Sequence, residues 1–144
     1  MASSSNIYTF FNNEWHGGNI PIMNAADHAS WLGSSVFDGA RYFEGMAPDL
    51  LAHCERLNNS ALVMGLTPPH TPAELKNIIL EGLNFYSKNT AVYIRPMCWG
   101  VGIGYSTIVP DSEKVGFCIC LEEIPMPSIK DTTTLTRTKF HRPV

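Results

Sequence analysis

Residues 91–99, AVYIRPMCW, have the composition of a β-strand whose two faces differ in chemistry. Because successive strand residues point to opposite faces, one face carries the core-type side chains Val92, Ile94 and Cys98. The other face carries a phenol, a guanidinium and two large apolar groups, namely Tyr93, Arg95, Met97 and Trp99. A few polar groups on apolar surface are typical of a ligand pocket. Pro96 has no N–H, which predicts an edge position or a bulge at that residue.

A second strand is predicted within residues 33–45, GSSVFDGARYFEG. Alternation gives it one apolar face with Val36, Ala40 and Tyr42, and one mixed face with Phe37, Gly39, Arg41 and Phe43. Glycine inside a strand costs stability and is typical of a site where another group approaches the backbone. Spacing alone leaves two interpretations open: a pocket wall, or a bulge glycine beside a solvent-facing arginine.

Two amphipathic helices follow this strand. The first is predicted between Pro48 and Gly65 by apolar residues at steps of three and four, namely Leu50, Cys54, Leu57, Ala61 and Met64. The second begins with a capping box in which Thr71 is the N-cap, Pro72 the first helical residue and Glu74 the reciprocal partner. Its apolar face is predicted to contain Leu75, Ile78, Ile79 and Leu83.

The remaining segments complete the fold prediction. Residues 7–15, IYTFFNNEW, predict a β-hairpin, and residues 19–33 predict a loop with a short turn. Residues 114–124, KVGFCICLEEI, and residues 132–140, TTTLTRTKF, are two further strand candidates. The order of elements predicts an α+β domain: a largely antiparallel sheet with two helices packed on one face and functional residues on the free face.

Composition excludes several classes of function. The chain has 144 residues, enough for one domain with a substantial core, and its net charge of -3 offers no basic surface for nucleic acid. It contains no long apolar run and no signal-peptide pattern, so we expect a soluble, cytoplasmic protein without a membrane span. The four cysteines form no CxxC pair and the five histidines have no ligand spacing, so we expect free thiols and no metal site. The GVGIG segment, residues 100–104, is followed by no helical pattern and is predicted to be a loop.

Arg56 is the remaining candidate for a ligand-binding residue, because it lies between the apolar helix positions Cys54 and Leu57. One interpretation is a surface salt bridge with Glu55 or Asp49, which contributes little to stability. The other is a fork of donors for a phosphate or a carboxylate. Spacing alone favours the salt bridge.

Three motifs together resemble the N-terminal part of the fold-type IV pyridoxal-phosphate enzymes, the branched-chain aminotransferase family. They are DHASWLGSSVFDGAR, residues 27–41; LAHCERLNNSALVMGL, residues 51–66; and YIRPM, residues 93–97, before the glycine-rich loop. They cover nearly the whole chain in the family's order. The resemblance implies pyridoxal 5'-phosphate as cofactor, an amino acid and a 2-oxo acid as substrates, and a homodimer. The loop at residues 102–105 resembles the segment that crosses to the partner subunit.

The resemblance also implies roles for individual residues. Arg56 corresponds to the arginine that binds the cofactor phosphate, and it is the one cofactor-binding residue that we assign. Phe37 and Gly39 correspond to the apolar side of the substrate pocket, with Arg41 in support. The Tyr93 hydroxyl corresponds to a group that orients the substrate carboxylate. Arg95 resembles the group that accepts the distal carboxylate of glutamate.

No catalytic residue is assigned to this chain, because the family's lysine, which holds the cofactor covalently, lies in a second domain. The lysines present are Lys76, Lys88, Lys114, Lys130 and Lys139, and none has the surrounding motif. Residues 1–130 are therefore predicted to be the small, substrate-facing domain, and residues 131–144 the start of the connection into an absent cofactor domain. On this interpretation the chain is a fragment that is inactive alone.

Two departures from the family pattern keep alternatives open. Leu32 replaces a tyrosine that is common in branched-chain enzymes, and Asp38 replaces the usual glutamate. The alternatives within the class are a D-amino acid or chiral amine aminotransferase and an aminodeoxychorismate lyase. Outside it, the chain could be a non-catalytic module that binds an anionic metabolite, or a structural domain without a ligand.

Overall fold

The computed structural model describes residues 6–128, 132–137 and 139, which form an antiparallel sheet covered by helices. Within these residues the strands are β1 Ile7–Phe11, β2 Glu14–Gly17, β3 Ser35–Phe37, β4 Ala40–Tyr42, β5 Val92–Gly100 and β6 Val115–Glu123. The helices are α1 His28–Leu32, α2 Leu50–Val63 and α3 Pro72–Leu83. The predicted α+β class is confirmed. The third helix, α1, replaces part of the predicted loop and ends at Gly33, whose positive φ of 70° suits glycine.

Strand β5 lies inside the sheet, whose order is β2-β1-β6-β5-β3, with β4 also paired to β5. It pairs with β6 along its whole length, from Val92 opposite Glu123 to Gly100 opposite Val115. The prediction that Pro96 marks an edge was therefore wrong. All of these strand pairs are antiparallel, as predicted.

The proline is accommodated by an interruption in the neighbouring strand. On that side β5 pairs Met97 with Phe37 of β3 and Ile94 with Ala40 of β4, so the same register resumes without an inserted residue. The Asp38 N–H donates to the Pro96 carbonyl at 3.1 Å, and Pro96 has no N–H to donate in return. The single strand predicted here is therefore two three-residue strands, and there is no register bulge.

The core lies between the sheet and helices α2 and α3. Leu57 and Ala61 of α2 and Ile79 of α3 are fully buried together with Ile94 and Leu121 of the sheet. The predicted apolar helix faces are thus confirmed, except that Met64 is 40% exposed because α2 ends one residue earlier. The capping box of α3 is also confirmed, with reciprocal hydrogen bonds between Thr71 and Glu74.

The hairpin and the cysteines agree with prediction. Strands β1 and β2 pair around Asn12 and Asn13, both of which have positive φ. All four cysteines lie within the described residues and are free thiols. Burial raises the pKa of Cys98 and of Cys118 to about 12, so both remain protonated and act as core side chains. No described helix is long and apolar enough to cross a membrane.

The last predicted strand is not observed. The described residues 132–137 and 139 adopt no strand, while Thr138 and Phe140 lie outside the described residues. A strand needs a neighbour to pair its backbone groups, and within the described residues β1 to β6 pair with one another and not with residues 132–137. Strand-like composition was therefore insufficient to form a strand in residues 132–137. Much of the predicted connection at residues 131–144 also lies outside the described residues, and that domain boundary stays a prediction.

Gly82 of α3 offers a test of the packing between helix and sheet. A Cβ at this position would overlap the Trp15 ring and lie 2.8 Å from Leu121 Cδ1. The Trp15 ring is itself packed against Phe10 and Phe85. Alanine improves helix propensity by about 1 kcal/mol, whereas overpacking costs about 1–3 kcal/mol. We expect Gly82→Ala to lower the free energy of unfolding, measured by urea denaturation.

The matched control for this change is Asn59→Ala, at an exposed position of α2. It gains helix propensity without new contacts, so its stability should equal or exceed that of the parent protein. A Gly82→Ala protein as stable as the Asn59→Ala protein would contradict the close packing of α3 on the sheet.

Candidate functional site

The face of the sheet opposite α2 and α3, here called the open face, brings together five of the predicted site residues. Register places Phe37 opposite Met97 and Arg41 opposite Tyr93. The five residues are Phe37, Gly39, Arg41, Tyr93 and Arg95. The predicted alternation of β5 is confirmed from Val92 to Cys98, since Val92, Ile94 and Cys98 are buried in the core and Tyr93 and Arg95 are only half-buried. Trp99, which was predicted to share the face of Tyr93 and Arg95, is buried and not accessible to a ligand.

Tyr93 lies between two guanidinium groups. The Cζ atom of Arg41 is 5.4 Å from the centroid of the Tyr93 ring, and the Cζ atom of Arg95 is 5.0 Å from it. Both distances suit cation–π contacts. Arg41 also donates to the Ile124 carbonyl at 2.8 Å, and Arg95 donates to Glu122 at 3.2 Å. The ring is therefore held between two cations that each have a second anchor.

Gly39 provides the space that the Tyr93 hydroxyl occupies. A Cβ at residue 39 would overlap the hydroxyl oxygen and lie 3.1 Å from Tyr93 Cζ. The close approach that the glycine predicted is thus present, and the approaching group is a side chain of the same protein. Phe37 beside it is 63% exposed, so its ring is accessible from the open face.

Arg56 lies on the other side of the sheet edge, where it forms an ion pair with Asp38. Its Nε donates to Asp38 Oδ2 at 2.6 Å and its Nη2 donates to Asp38 Oδ1 at 2.8 Å. The predicted salt-bridge partners Glu55 and Asp49 were wrong. Alternation could have identified the true partner, because Asp38 shares the helix-facing side with Val36 and Ala40.

His53 completes this cluster, one turn before Arg56 on α2. Its Nδ1 lies 2.7 Å from Asp38 Oδ1 and 2.9 Å from Arg56 Nη2. A guanidinium only donates and a carboxylate only accepts, so Nδ1 can bond to one of them at a time. The shorter contact indicates the tautomer in which Nδ1–H donates to Asp38. His53 was not predicted from the sequence, although its spacing of three from Arg56 places both on one helix face.

Asp38 is the buried member of the cluster, 5% exposed, whereas the Arg56 side chain is 63% exposed. Burial acts to raise the pKa of Asp38, but hydrogen bonds from Arg56 and His53 and their positive charge outweigh burial and hold that pKa below its usual value. The pKa of Arg56 is raised by its hydrogen bond to Asp38. Among the described residues, no partner engages Nη1 of Arg56, so one edge of the guanidinium remains open to a ligand.

The low pKa of Asp38 predicts a loss of stability in acid. A carboxyl with a lowered folded-state pKa stabilises the protein fully above its unfolded pKa of about 3.9, and this contribution is lost as pH falls through the folded-state pKa. At neutral pH we expect Asp38→Asn to lower the free energy of unfolding by about 1–3 kcal/mol. The difference between the two proteins should shrink as pH falls below about 5 and on through the folded-state pKa of Asp38, measured by urea denaturation.

Other carboxyls with lowered pKa values do not affect the comparison between the parent protein and Asp38→Asn. The pKa values of Glu74 and Asp111 are also lowered by hydrogen bonds, from Thr71 and from the Glu113 backbone respectively, and both proteins retain these groups. A difference that stays constant over the whole pH range would contradict the ion pair.

Comparisons with known proteins identify the family. The profile described as Amino-transferase class IV matches residues 35–143, more than half of the chain. The chain belongs to the class IV aminotransferases. The profile match includes β3 to β6, and therefore the open face and the Asp38–Arg56 pair.

Solved structures of class IV aminotransferases share this fold. An aminotransferase from Brucella abortus, in a structure bound to PLP, is 43% identical with a TM-score of 0.90, over 96% of this chain and 49% of that chain. The branched-chain amino acid aminotransferase from Escherichia coli is 22% identical with a TM-score of 0.68, over 84% of this chain and 41% of that chain, a likeness of fold alone. The predicted resemblance to the small domain of such enzymes is confirmed.

A curated relative gives the same family. A Methanocaldococcus jannaschii protein named as a branched-chain-amino-acid aminotransferase is 34% identical over 111 residues, which are 74% of this chain and 36% of that protein. The chain thus spans between about a third and a half of the length of these class IV aminotransferases.

Proposed function

We propose that this chain forms the substrate-facing part of a pyridoxal-phosphate aminotransferase that transfers an amino group between a branched-chain amino acid and a 2-oxo acid such as 2-oxoglutarate. The observation that carries the proposal is the open face, where Tyr93 is held between Arg41 and Arg95 beside exposed Phe37 and the small Gly39. Apolar surface with a few fixed polar groups suits an amino acid that has an apolar side chain. The name of the M. jannaschii relative supports the branched-chain class.

Arg56 fits the phosphate of the cofactor. Its Nε and Nη2 are held by Asp38, while Nη1 and most of the side chain are accessible, so an exposed edge of donors faces outward. A planar guanidinium with free donors suits a dianionic phosphate. Strands β3 and β4 form this edge of the sheet, so a molecule at the edge could contact both Arg56 and the open face. When bound, pyridoxal phosphate acts as an electron sink for the reacting amino acid.

The residues of this chain bind and orient the substrate. Phe37 and Met97 supply apolar contact for the side chain, and the Tyr93 hydroxyl donates to the substrate carboxylate. Arg95 binds the distal carboxylate of the acidic 2-oxo acid. To do so, its guanidinium gives up the contact with Glu122. Arg41 keeps the Tyr93 ring in place through its own anchor at Ile124.

Proton transfer by a lysine is assigned to residues outside this chain. Lys76 lies on α3, Lys88 follows α3, and Lys114 pairs with Asp111 at 3.3 Å, and we propose a catalytic role for none of these three. Residues 1–144 alone are therefore expected to show no transamination. The whole protein is proposed to be a cytoplasmic homodimer, and the fully exposed Tyr105 in the glycine-rich loop suits a contact with a partner subunit.

The test is donor profiling of the purified whole protein loaded with pyridoxal phosphate. L-leucine, L-valine and L-isoleucine are each supplied with 2-oxoglutarate, beside D-alanine and a chiral primary amine. We expect turnover with the branched-chain L-amino acids. Turnover with only D-alanine or the amine would support another member of the class, and cofactor binding without any turnover would support a binding module. Arg95→Met should raise KM for 2-oxoglutarate more than KM for a branched-chain 2-oxo acid.

A further inference from the structure

Asp38 links the edge of the sheet to helix α2. It is one of two carboxylates among the buried polar residues of the described part of the chain, and the other, Asp27, is bonded locally to Asn24. Both oxygens of Asp38 are used by side chains of α2, Arg56 and His53. Burying a carboxylate costs free energy unless the charge is paired. A buried carboxylate whose oxygens both bind α2 side chains, one of them the long, exposed Arg56, is therefore expected to have a specific role.

We propose that Asp38 is a positioning residue that orients Arg56 so that its Nη1 edge is presented to the phosphate of pyridoxal phosphate. This inference rests on the proposed function, in which Arg56 binds that phosphate. Asp38 makes no direct contact with the ligand and acts only through the guanidinium.

The geometry supports orientation as the purpose of the pair. Two parallel hydrogen bonds fix both the position and the plane of the guanidinium, whereas a single bond would leave the plane free to rotate. An unrestrained arginine has many rotamers, and their loss on binding weakens affinity. Arg56 loses this freedom on folding, before the ligand arrives.

The position of Asp38 in the chain supports the same role. It lies between Phe37 and Gly39, which point to the open face, while its own side chain points to α2. The donor edge of Arg56 is therefore tied to the strand segment that shapes the substrate wall. A shift of this segment would move the phosphate donors and the pocket wall together, which keeps cofactor and substrate aligned.

The negative charge of Asp38 opposes an approaching phosphate, and the structure reduces this effect. Asp38 lies behind the guanidinium, is nearly buried, and shares its charge with Nδ1–H of His53. The phosphate would approach the exposed side of Arg56, where solvent screens interactions between charges. Orientation is therefore expected to outweigh repulsion.

The experiment compares pyridoxal phosphate with pyridoxal, which lacks the phosphate, as ligands of the purified apoprotein. Equilibrium dissociation constants are measured for the parent protein and for Asp38→Asn, Asp38→Glu, Arg56→Ala and the double variant Asp38→Asn/Arg56→Ala. We expect Asp38→Asn to weaken binding of pyridoxal phosphate about three- to tenfold and to leave binding of pyridoxal unchanged. Asp38→Glu keeps the carboxylate and should restore most of the affinity. In the Arg56→Ala background, Asp38→Asn should have no further effect.

Glu55→Gln is the matched control, because it removes a negative charge from the exposed residue beside Arg56 without touching the pair. It should bind both ligands like the parent protein. The inference is overturned if Asp38→Asn binds pyridoxal phosphate as the parent does, or weakens both ligands equally. Failure of the proposed function itself would give a different result. In that case the Arg56→Ala protein would keep the full preference of the parent protein for pyridoxal phosphate over pyridoxal.

A second measurement tests the inference if the Asp38→Asn protein does not fold. Hydrogen exchange of the Arg56 Nε–H, followed by NMR in the parent protein and in Asp38→Glu, reports how firmly the guanidinium is held. The inference requires that exchange protection and preference for pyridoxal phosphate fall or persist together. Protection lost with an unchanged preference would refute it.

Discussion

Arg56→Ala is expected to weaken binding of pyridoxal phosphate about 10- to 100-fold, because the phosphate loses charge-assisted hydrogen bonds. The loss should be absent for pyridoxal, which has no phosphate. The measurement is equilibrium binding of each ligand to the apoprotein, followed by the change in cofactor absorbance.

The alanine variant also leaves buried Asp38 with His53 as its partner among the described residues, so lower stability must be separated from lower affinity. Arg56→Lys retains the positive charge but lacks the planar fork, so it should bind pyridoxal phosphate with intermediate affinity. Thermal unfolding of each variant confirms that the binding assay uses folded protein. Equal losses for pyridoxal and pyridoxal phosphate would show that Arg56 does not contact the phosphate.

In the whole protein, Gly39→Val is expected to lower kcat/KM for the amino acid about 100-fold, because it displaces the Tyr93 ring. Even a single Cβ at residue 39 would overlap the Tyr93 hydroxyl and lie 3.2 Å from Cε2. The ring would move from between Arg41 and Arg95, and misplacement of a positioning group by about 1 Å can cost about 100-fold in rate. Binding of pyridoxal phosphate should change less than kcat/KM, since the displaced group is the Tyr93 ring and Arg56 lies on the other side of the strand.

Gly17→Ala provides the matched control for this substitution. Gly17 is also in a strand, but a Cβ there would have no atom within 4 Å, so activity and stability should both be retained. Combining Gly39→Ala with Tyr93→Phe gives a second check, because removal of the hydroxyl relieves the worst overlap. The stability cost of Gly39→Ala should therefore be smaller in the Tyr93→Phe background. Equal costs in both backgrounds would contradict the close approach.

Local patterns were sufficient where a single element determines the structure. The four-and-three spacing of α2, the capping box at Thr71 and the alternation of β5 each depend on neighbours within a few residues. The grouping of Phe37, Gly39, Arg41, Tyr93 and Arg95 also followed from alternation, once both strands were assigned to one sheet.

Features that depend on distant residues were not predicted. The position of Pro96 inside the sheet depends on how β3 and β4 pair with β5, which no local pattern contains. The partner of Arg56 was missed because Asp38 is eighteen positions away, and nearby carboxylates appeared equally suitable. Residues 132–137 have strand-like composition but pair with no strand among the described residues, so composition alone gave a wrong prediction for them.

The interruption between β3 and β4, opposite Pro96, has a consequence for solubility. Strands β3 and β4 form one edge of the described sheet, and an edge strand offers unpaired backbone groups to which other chains can add. Because Pro96 donates no hydrogen bond, this edge is divided into two strands of three residues and not one continuous strand. Short edge strands are poor templates for intermolecular pairing. A proline in the interior of the sheet thus protects its rim against aggregation.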